Sequence, residues 1–229
     1  MKSSFWLRCC FAALMLALIC RFDAPNTVFS QSDNRVFVPI VISPADPVQP
    51  DAPGSCLSAE EFELGRLINE YRASVGLPAA PFSKSLTMVA QTHVQDLQTN
   101  YPGRDWGKDS RGINCNMHTW SDKGYWTPVC YTPDHEYAEG MWFKPREITR
   151  GAYTDYGYEI SAGYWGKNIT AQDALNLWKN SSGHNNVIVE QGAWSGQNWP
   201  AMGIGISKTY AVVWFSSTSD PQGPVTVCP

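Results

Sequence analysis

Trp178-Lys179-Asn180-Ser181-Ser182-Gly183-His184-Asn185-Asn186-Val187-Ile188 is the most telling segment of this chain. It leaves a short helical segment, from 171 to about 180 with Thr170 as its cap, through a small polar turn that presents a histidine. Two other places share this character: His118 within Asn116-Met117-His118-Thr119-Trp120-Ser121, and Glu159 within Gly157-Tyr158-Glu159-Ile160. Two imidazoles and one carboxylate, far apart in sequence and each set among aromatic and small polar residues, are what a shared polar site requires.

Outward from these residues the chain has the layout of one domain. Ser58 caps a first helix with Glu61 completing a capping box, and Phe62, Leu64, Leu67, Ile68 and Tyr71 recur at helical spacing until Gly76 and Pro78. A second helix spans 83 to about 98, with Leu86, Val89, Ala90, Val94 and Leu97 on one face. Residues 103–165 have little periodicity, and an irregular region of that length is usually functional or stapled. The end of the chain predicts a hairpin: Met202-Gly203-Ile204-Gly205-Ile206-Ser207, a turn at Lys208-Thr209, then Tyr210-Ala211-Val212-Val213-Trp214-Phe215. Helices flanking an antiparallel sheet make an α+β layered domain.

Taken in order, Leu67-Ile68-Asn69-Glu70-Tyr71-Arg72, Gly76-Leu77-Pro78, His118, Gly157-Tyr158-Glu159-Ile160, the stretch from Trp178 to His184 and Gly203-Ile204-Gly205 resemble the CAP superfamily. This is the group of cysteine-rich secretory proteins, antigen 5 and plant pathogenesis-related proteins, with SCP domains in bacterial members, which this chain is most similar to. The resemblance runs from about 57 to 218 and implies a three-layer α-β-α sandwich with an antiparallel sheet. It also implies a cavity lined by two histidines and two acids. His118 and His184 match the histidines and Glu159 the first acid. The second acid belongs just after Trp178, where Lys179-Asn180-Ser181 carries no carboxylate, so the tetrad reduces to a three-residue polar site.

Composition limits what such a site serves. Hydrophobic residues make up 43% and charged residues 17%, a globular balance. The net charge of −4, with no basic block, argues against a nucleic-acid partner. Lys2 and Arg8 precede the apolar run Phe11-Ala12-Ala13-Leu14-Met15-Leu16-Ala17-Leu18-Ile19, which Arg21 and Asp23 end too soon for a membrane span. We read 1–30 as a signal peptide, 31–55 with its five prolines as a semi-rigid linker containing an apolar segment at 36–42, and 56–229 as the domain. The mature chain is then secreted, without a transmembrane segment, and expected to be a monomer. Its four cysteines allow three pairings. Cys115–Cys130, closing a short loop, and Cys56–Cys228, tying the domain ends, are the favoured two.

The chemistry leaves three classes open. His118 and His184, with Glu159, are the candidate ligands of a divalent metal such as zinc. With Trp120 and Ser181 beside them, the same three form a cleft for a small apolar, lipid or cell-envelope ligand. Alternatively His118, Glu159 and His184 are acid/base groups of a secreted, metal-assisted or Glu/His-dependent hydrolase, although no hydrolase motif surrounds Ser181 or Ser182. A non-catalytic extracellular interaction module needs none of this chemistry. His93, on the second helix, reads as partly exposed or hydrogen-bonded. His135 reads as an i,i+4 partner of Glu139 on a short helix.

Overall fold

The computed structural model describes residues 52–229. The expected signal peptide, nearly all of the linker and the apolar segment at 36–42 lie outside the described residues.

Helix α1 (Ala59–Ser74) begins at the expected capping box: Ser58 accepts from the Glu61 amide and the Glu61 carboxylate accepts from the Ser58 amide. Helix α2 (Lys84–Asn100) starts under Ser83, whose hydroxyl accepts from Leu86 N at 2.9 Å. The region read as irregular contains two five-residue helices, α3 (Ala138–Trp142) and α4 (Lys144–Ile148), and a strand, β1 (Tyr158–Gly163). Helix α5 (Ala171–Lys179) has Thr170 as its cap, with Asp173 completing a capping box, and α6 (Ser182–Ile188) follows within the stretch quoted first. The hairpin is β2 (Ala201–Ile206) and β3 (Tyr210–Ser216).

The three strands form one antiparallel sheet in the order β1-β3-β2, with Glu159 opposite Trp214 and Gly203 opposite Trp214 on its other side. Alternation along the strands assigns the two faces. Ile160, Ala162, Ile204, Ala211 and Val213 pack with Leu64 and Ile68 of α1 and Ala174 and Trp178 of α5. Tyr210, Val212 and Trp214 pack on the opposite face with Leu86, Val89, Ala90 and Val94 of α2 and with Met141 and Ile148 from α3 and α4. The domain is therefore an α+β, three-layer α-β-α sandwich.

Two glycines set how closely α2 lies on the sheet. A Cβ built on Gly203 would stand 1.9 Å from the Leu86 carbonyl carbon, and one on Gly205 would stand 2.5 Å from the Ala90 carbonyl carbon. Both obstructions are helix backbone, which cannot rotate aside as a side chain does. Cys56–Cys228 fastens the two ends of the domain, and Cys115–Cys130 closes the short loop, the pairing favoured from loop length.

Gly203→Ala is expected to lower the urea midpoint by the equivalent of about 1–3 kcal/mol, the usual cost of overpacking. Gly103→Ala, whose Cβ meets nothing within 4 Å, is expected to leave it unchanged within error.

Candidate ligand-binding site

Glu159 is the centre of the site. Strand alternation turns it to the α2 face of the sheet, where its side chain is fully buried. Its two oxygens meet two imidazoles: His93 Nδ1 at 2.5 Å from Oε2 and His118 Nδ1 at 2.6 Å from Oε1. His93 comes from the sheet-facing side of α2 and is itself buried. Its Nε2 lies 3.0 Å from the Thr119 carbonyl, an acceptor with no hydrogen to give. Both nitrogens of His93 thus face acceptors, so both donate, and the ring carries the positive charge that balances the carboxylate. Burial raises the Glu159 pKa, but the charge of His93 and the hydrogen bonds from His118 and His93 outweigh it and hold the pKa at about 2.

The supports of this trio come from three directions. Trp120 stacks on His93 with ring centroids 4.2 Å apart and planes 5° apart. His118 lies on the loop closed by Cys115–Cys130, its amide donating to Asn116 Oδ1 at 3.0 Å. His184 is carried by α6, and α1 fixes that helix. Arg72, fully buried, donates to the Ile188 carbonyl at 2.7 Å and to Glu190 at 2.7 Å, while the Tyr71 hydroxyl donates to Asn185 Oδ1 at 2.9 Å. This brings the His184 ring to 6.3 Å from that of His118. Burial, then the neighbouring His118, push the His184 pKa down from 6.5 to about 4, with Glu159 opposing, so this imidazole is neutral at neutral pH.

These groups close one end of a cavity of about 380 Å³. His118, His135, His184, Glu159 and Tyr131 make the polar end, and Met141, Trp142, Tyr158, Ile160, Val187 and Trp194 make the walls. The volume is in the range of small-molecule sites, which are mostly apolar with a few fixed polar groups. All four histidines of the chain are gathered here, three on the cavity and His93 behind Glu159.

The three residues singled out from sequence do converge, but several expectations change. Trp120 is 1% exposed and lies behind His93, between Trp126 and Trp214, so it supports the site rather than touching a ligand. Ser181 is the N-cap residue of α6 and is not part of the lining, and neither it nor Ser182 hydrogen-bonds His184 among the described residues. Glu159 spends both oxygens on imidazole N–H groups and is not free to join a metal. Among the described residues, no group of three His, Cys, Asp or Glu side chains is placed to hold an ion, and two imidazoles fall short of the three protein ligands a zinc site supplies.

His135 is not on a helix beside Glu139. It occupies a left-handed turn (φ 62°) before α3, where its Nδ1 lies 2.9 Å from the Tyr131 hydroxyl and its ring lines the cavity. Left-handed backbone breaks the helical spacing on which an i,i+4 pair depends. His93, read as partly exposed or hydrogen-bonded, is wholly buried and hydrogen-bonded through both ring nitrogens. The signal for it was present: it lies on the buried stripe with Leu86, Val89 and Ala90, so a polar group there needed a buried partner.

A family model described as the cysteine-rich secretory protein family, CAP, matches residues 66–209, which include all four histidines and Glu159. Among solved structures, a cysteine-rich secretory protein from Staphylococcus aureus is 12% identical, with 69% of this chain and 39% of that chain aligned at a TM-score of 0.43. An extracellular protein containing a SCP domain from Bacillus anthracis is 18% identical, with 68% and 39% aligned at 0.42. An outer surface protein from Borrelia burgdorferi is 18% identical, with 69% and 92% aligned at 0.41. The aligned part is thus about two fifths of the first two proteins. No curated protein gave a match.

Removing one partner of a buried pair leaves the other charge unpaired. His93→Gln and Glu159→Gln are each expected to cost about 3–5 kcal/mol in denaturant unfolding, and the double variant less than their sum.

Two depressed pKa values also set a pH dependence. Between about 6.5 and about 4, unfolded His184 binds a proton that the native residue does not, so stability falls as pH falls through that window. Between about 4.5 and about 2 the same sign holds for Glu159. In unfolding measured against pH, the difference curve for His184→Gln is expected to isolate the upper window and that for Glu159→Gln the lower.

Proposed function

The chain belongs to the CAP, or cysteine-rich secretory protein, family, and on that premise we propose that it is an exported binding protein whose cavity takes a small ligand with an apolar face and a polar head. One observation carries the reading. His118 Nε2 and both nitrogens of His184 have no hydrogen-bond partner among the described residues, yet both rings line a cavity walled by Trp142, Tyr158, Val187 and Trp194. Polar atoms without internal partners, facing an apolar enclosure, suit a ligand that brings its own polar head. Glu159 acts from behind: saturated by His93 and His118, it fixes the His118 ring and leaves Nε2 directed away from the pair.

Export is supported by the apolar run after Lys2 and Arg8 and by two disulfides, which persist in oxidising compartments. The Bacillus anthracis and Borrelia burgdorferi proteins described above are named as extracellular and outer-surface. A hydrolytic reading has one feature in its favour, the carboxylate-oriented imidazole of His118, which is the form of a general base. Ser161 Oγ lies 3.5 Å from His118 Nδ1, the nitrogen already engaged by Glu159, and among the described residues no serine hydrogen-bonds the cavity-facing Nε2, so the set lacks a placed nucleophile that the binding reading does not need.

Trp142 and Trp194 provide the measurement, since indole fluorescence responds to a ligand in the cavity. The apolar anion 1-anilinonaphthalene-8-sulfonate is the probe. It is expected to bind with saturation, and Val187→Trp, which fills the cavity, is expected to weaken binding at least about tenfold (a loss of about 1.4 kcal/mol) while unfolding stays cooperative. Equal affinity in the two proteins would place binding elsewhere and refute the reading.

A further inference from the structure

The cavity does not end at its mouth. Trp194 meets Tyr158 with ring centroids 4.9 Å apart, Tyr158 meets Trp142 at 6.3 Å, Trp142 meets Tyr156 at 6.0 Å, and Tyr156 meets Phe143 at 5.0 Å. The inner three line the cavity, whereas Tyr156 is 45% exposed and Phe143 41% exposed. The result is an unbroken aromatic strip from the protein surface to the polar end at His118 and His184.

The strip differs from the other aromatic groups of the domain in its polar atoms. Elsewhere Tyr153 donates to the Thr218 carbonyl, Tyr210 to the Tyr101 carbonyl, Trp199 to the Val187 carbonyl and Trp126 to the Ser121 carbonyl, while the indole N–H groups of Trp106, Trp120, Trp178 and Trp214 are sealed in the interior without a partner among the described residues. On the strip, the hydroxyls of Tyr156 and Tyr158 and the indole N–H groups of Trp142 and Trp194 have no partner among the described residues, and none is counted among the buried unsatisfied atoms. They remain available at the edges of the rings.

We propose that this strip binds a glycan chain, with sugar rings stacked on the aromatic faces and their hydroxyls bonded to the free Tyr and Trp edges, one unit reaching the imidazoles. A sugar ring has a C–H face and a hydroxyl rim, and each step along the strip is comparable to one such ring. An acyl chain uses the aromatic faces but gives the four free polar edges nothing. A bilayer surface fits less well again, because the chain carries −4 and no basic block to draw it to anionic lipid. This inference rests on the cavity reading above and specifies the class of its ligand.

The test is calorimetric titration of the purified protein with oligomers of N-acetylglucosamine, glucose and mannose, from one to six units, beside palmitate and the naphthalene sulfonate probe. For at least one sugar, affinity is expected to rise at least about tenfold from one unit to four and then level off. Tyr156→Ala and Phe143→Ala, both outside the cavity, are each expected to weaken the hexamer by about two- to tenfold, leaving the probe's affinity unchanged. No binding by any oligomer, or binding without length dependence, overturns the glycan assignment. Palmitate binding in its place does the same while the cavity reading stands. Loss of the probe as well as the sugars would remove both.

Discussion

A carboxylate sealed inside a protein must be neutralised, and the arrangement of this domain follows from how Glu159 is. His93 reaches it from α2 and His118 from the loop closed by Cys115–Cys130, so one side chain on edge strand β1 joins the sheet to a helix and to a stapled loop. Either imidazole alone would leave one buried oxygen without a donor, at a cost of kilocalories per mole. The second acceptor of His93, the Thr119 carbonyl, fixes the order of charge in the trio. His93 is the cation, Glu159 the anion, and His118 the ring that passes the arrangement on to the cavity.

Everything nearer the surface depends on that fixed point. Gly203 and Gly205 let α2 lie on the sheet closely enough for His93 to reach Glu159. Trp120 fills the space behind His93 and is in turn packed against Trp214, the cross-strand neighbour of Glu159. On the other side of the cavity, Arg72 and Tyr71 of α1 hold α6 by a carbonyl, a carboxylate and an amide. His184 is thereby positioned by the layer opposite to the one that positions His118. The cavity lies where these two supports meet, between β1, α6 and the loop leading into α3.

Much of the fold was legible because local rules and the family pattern agreed. Ser58 and Glu61, Ser83, and Thr170 mark helix starts through side chains whose only local use is to cap. The hairpin followed from its aliphatic and glycine pattern. Strand β1 was harder, because Glu159 and Ser161 look like an exposed polar face yet are buried, a case where tertiary partners override the pattern. Helices α3 and α4 are five residues each, too short for periodicity to appear. His118, Glu159 and His184 were identified, but not the role of His93, since a sequence does not say which acceptors a buried imidazole will meet. Trp120 was assigned to the ligand because it lies two residues from His118, but a turn closed by the Thr119 amide on the Asn116 carbonyl breaks the extended alternation that would put both on one face, and Trp120 packs behind His93. His135 follows a turn over Thr132-Pro133-Asp134 that Pro133 and Asp134 do announce, and reading it as helical overlooked that signal.

The site turns on how hydrogens are distributed across His93, Glu159 and His118. Imidazole nitrogen chemical shifts, from long-range proton–nitrogen correlation spectra of the protein at neutral pH, read it directly. His93 is expected to show both nitrogens protonated and His118 to carry hydrogen at Nδ1, with Glu159 ionised. A His93 ring with a free lone pair at Nδ1, facing a protonated Glu159, would contradict it.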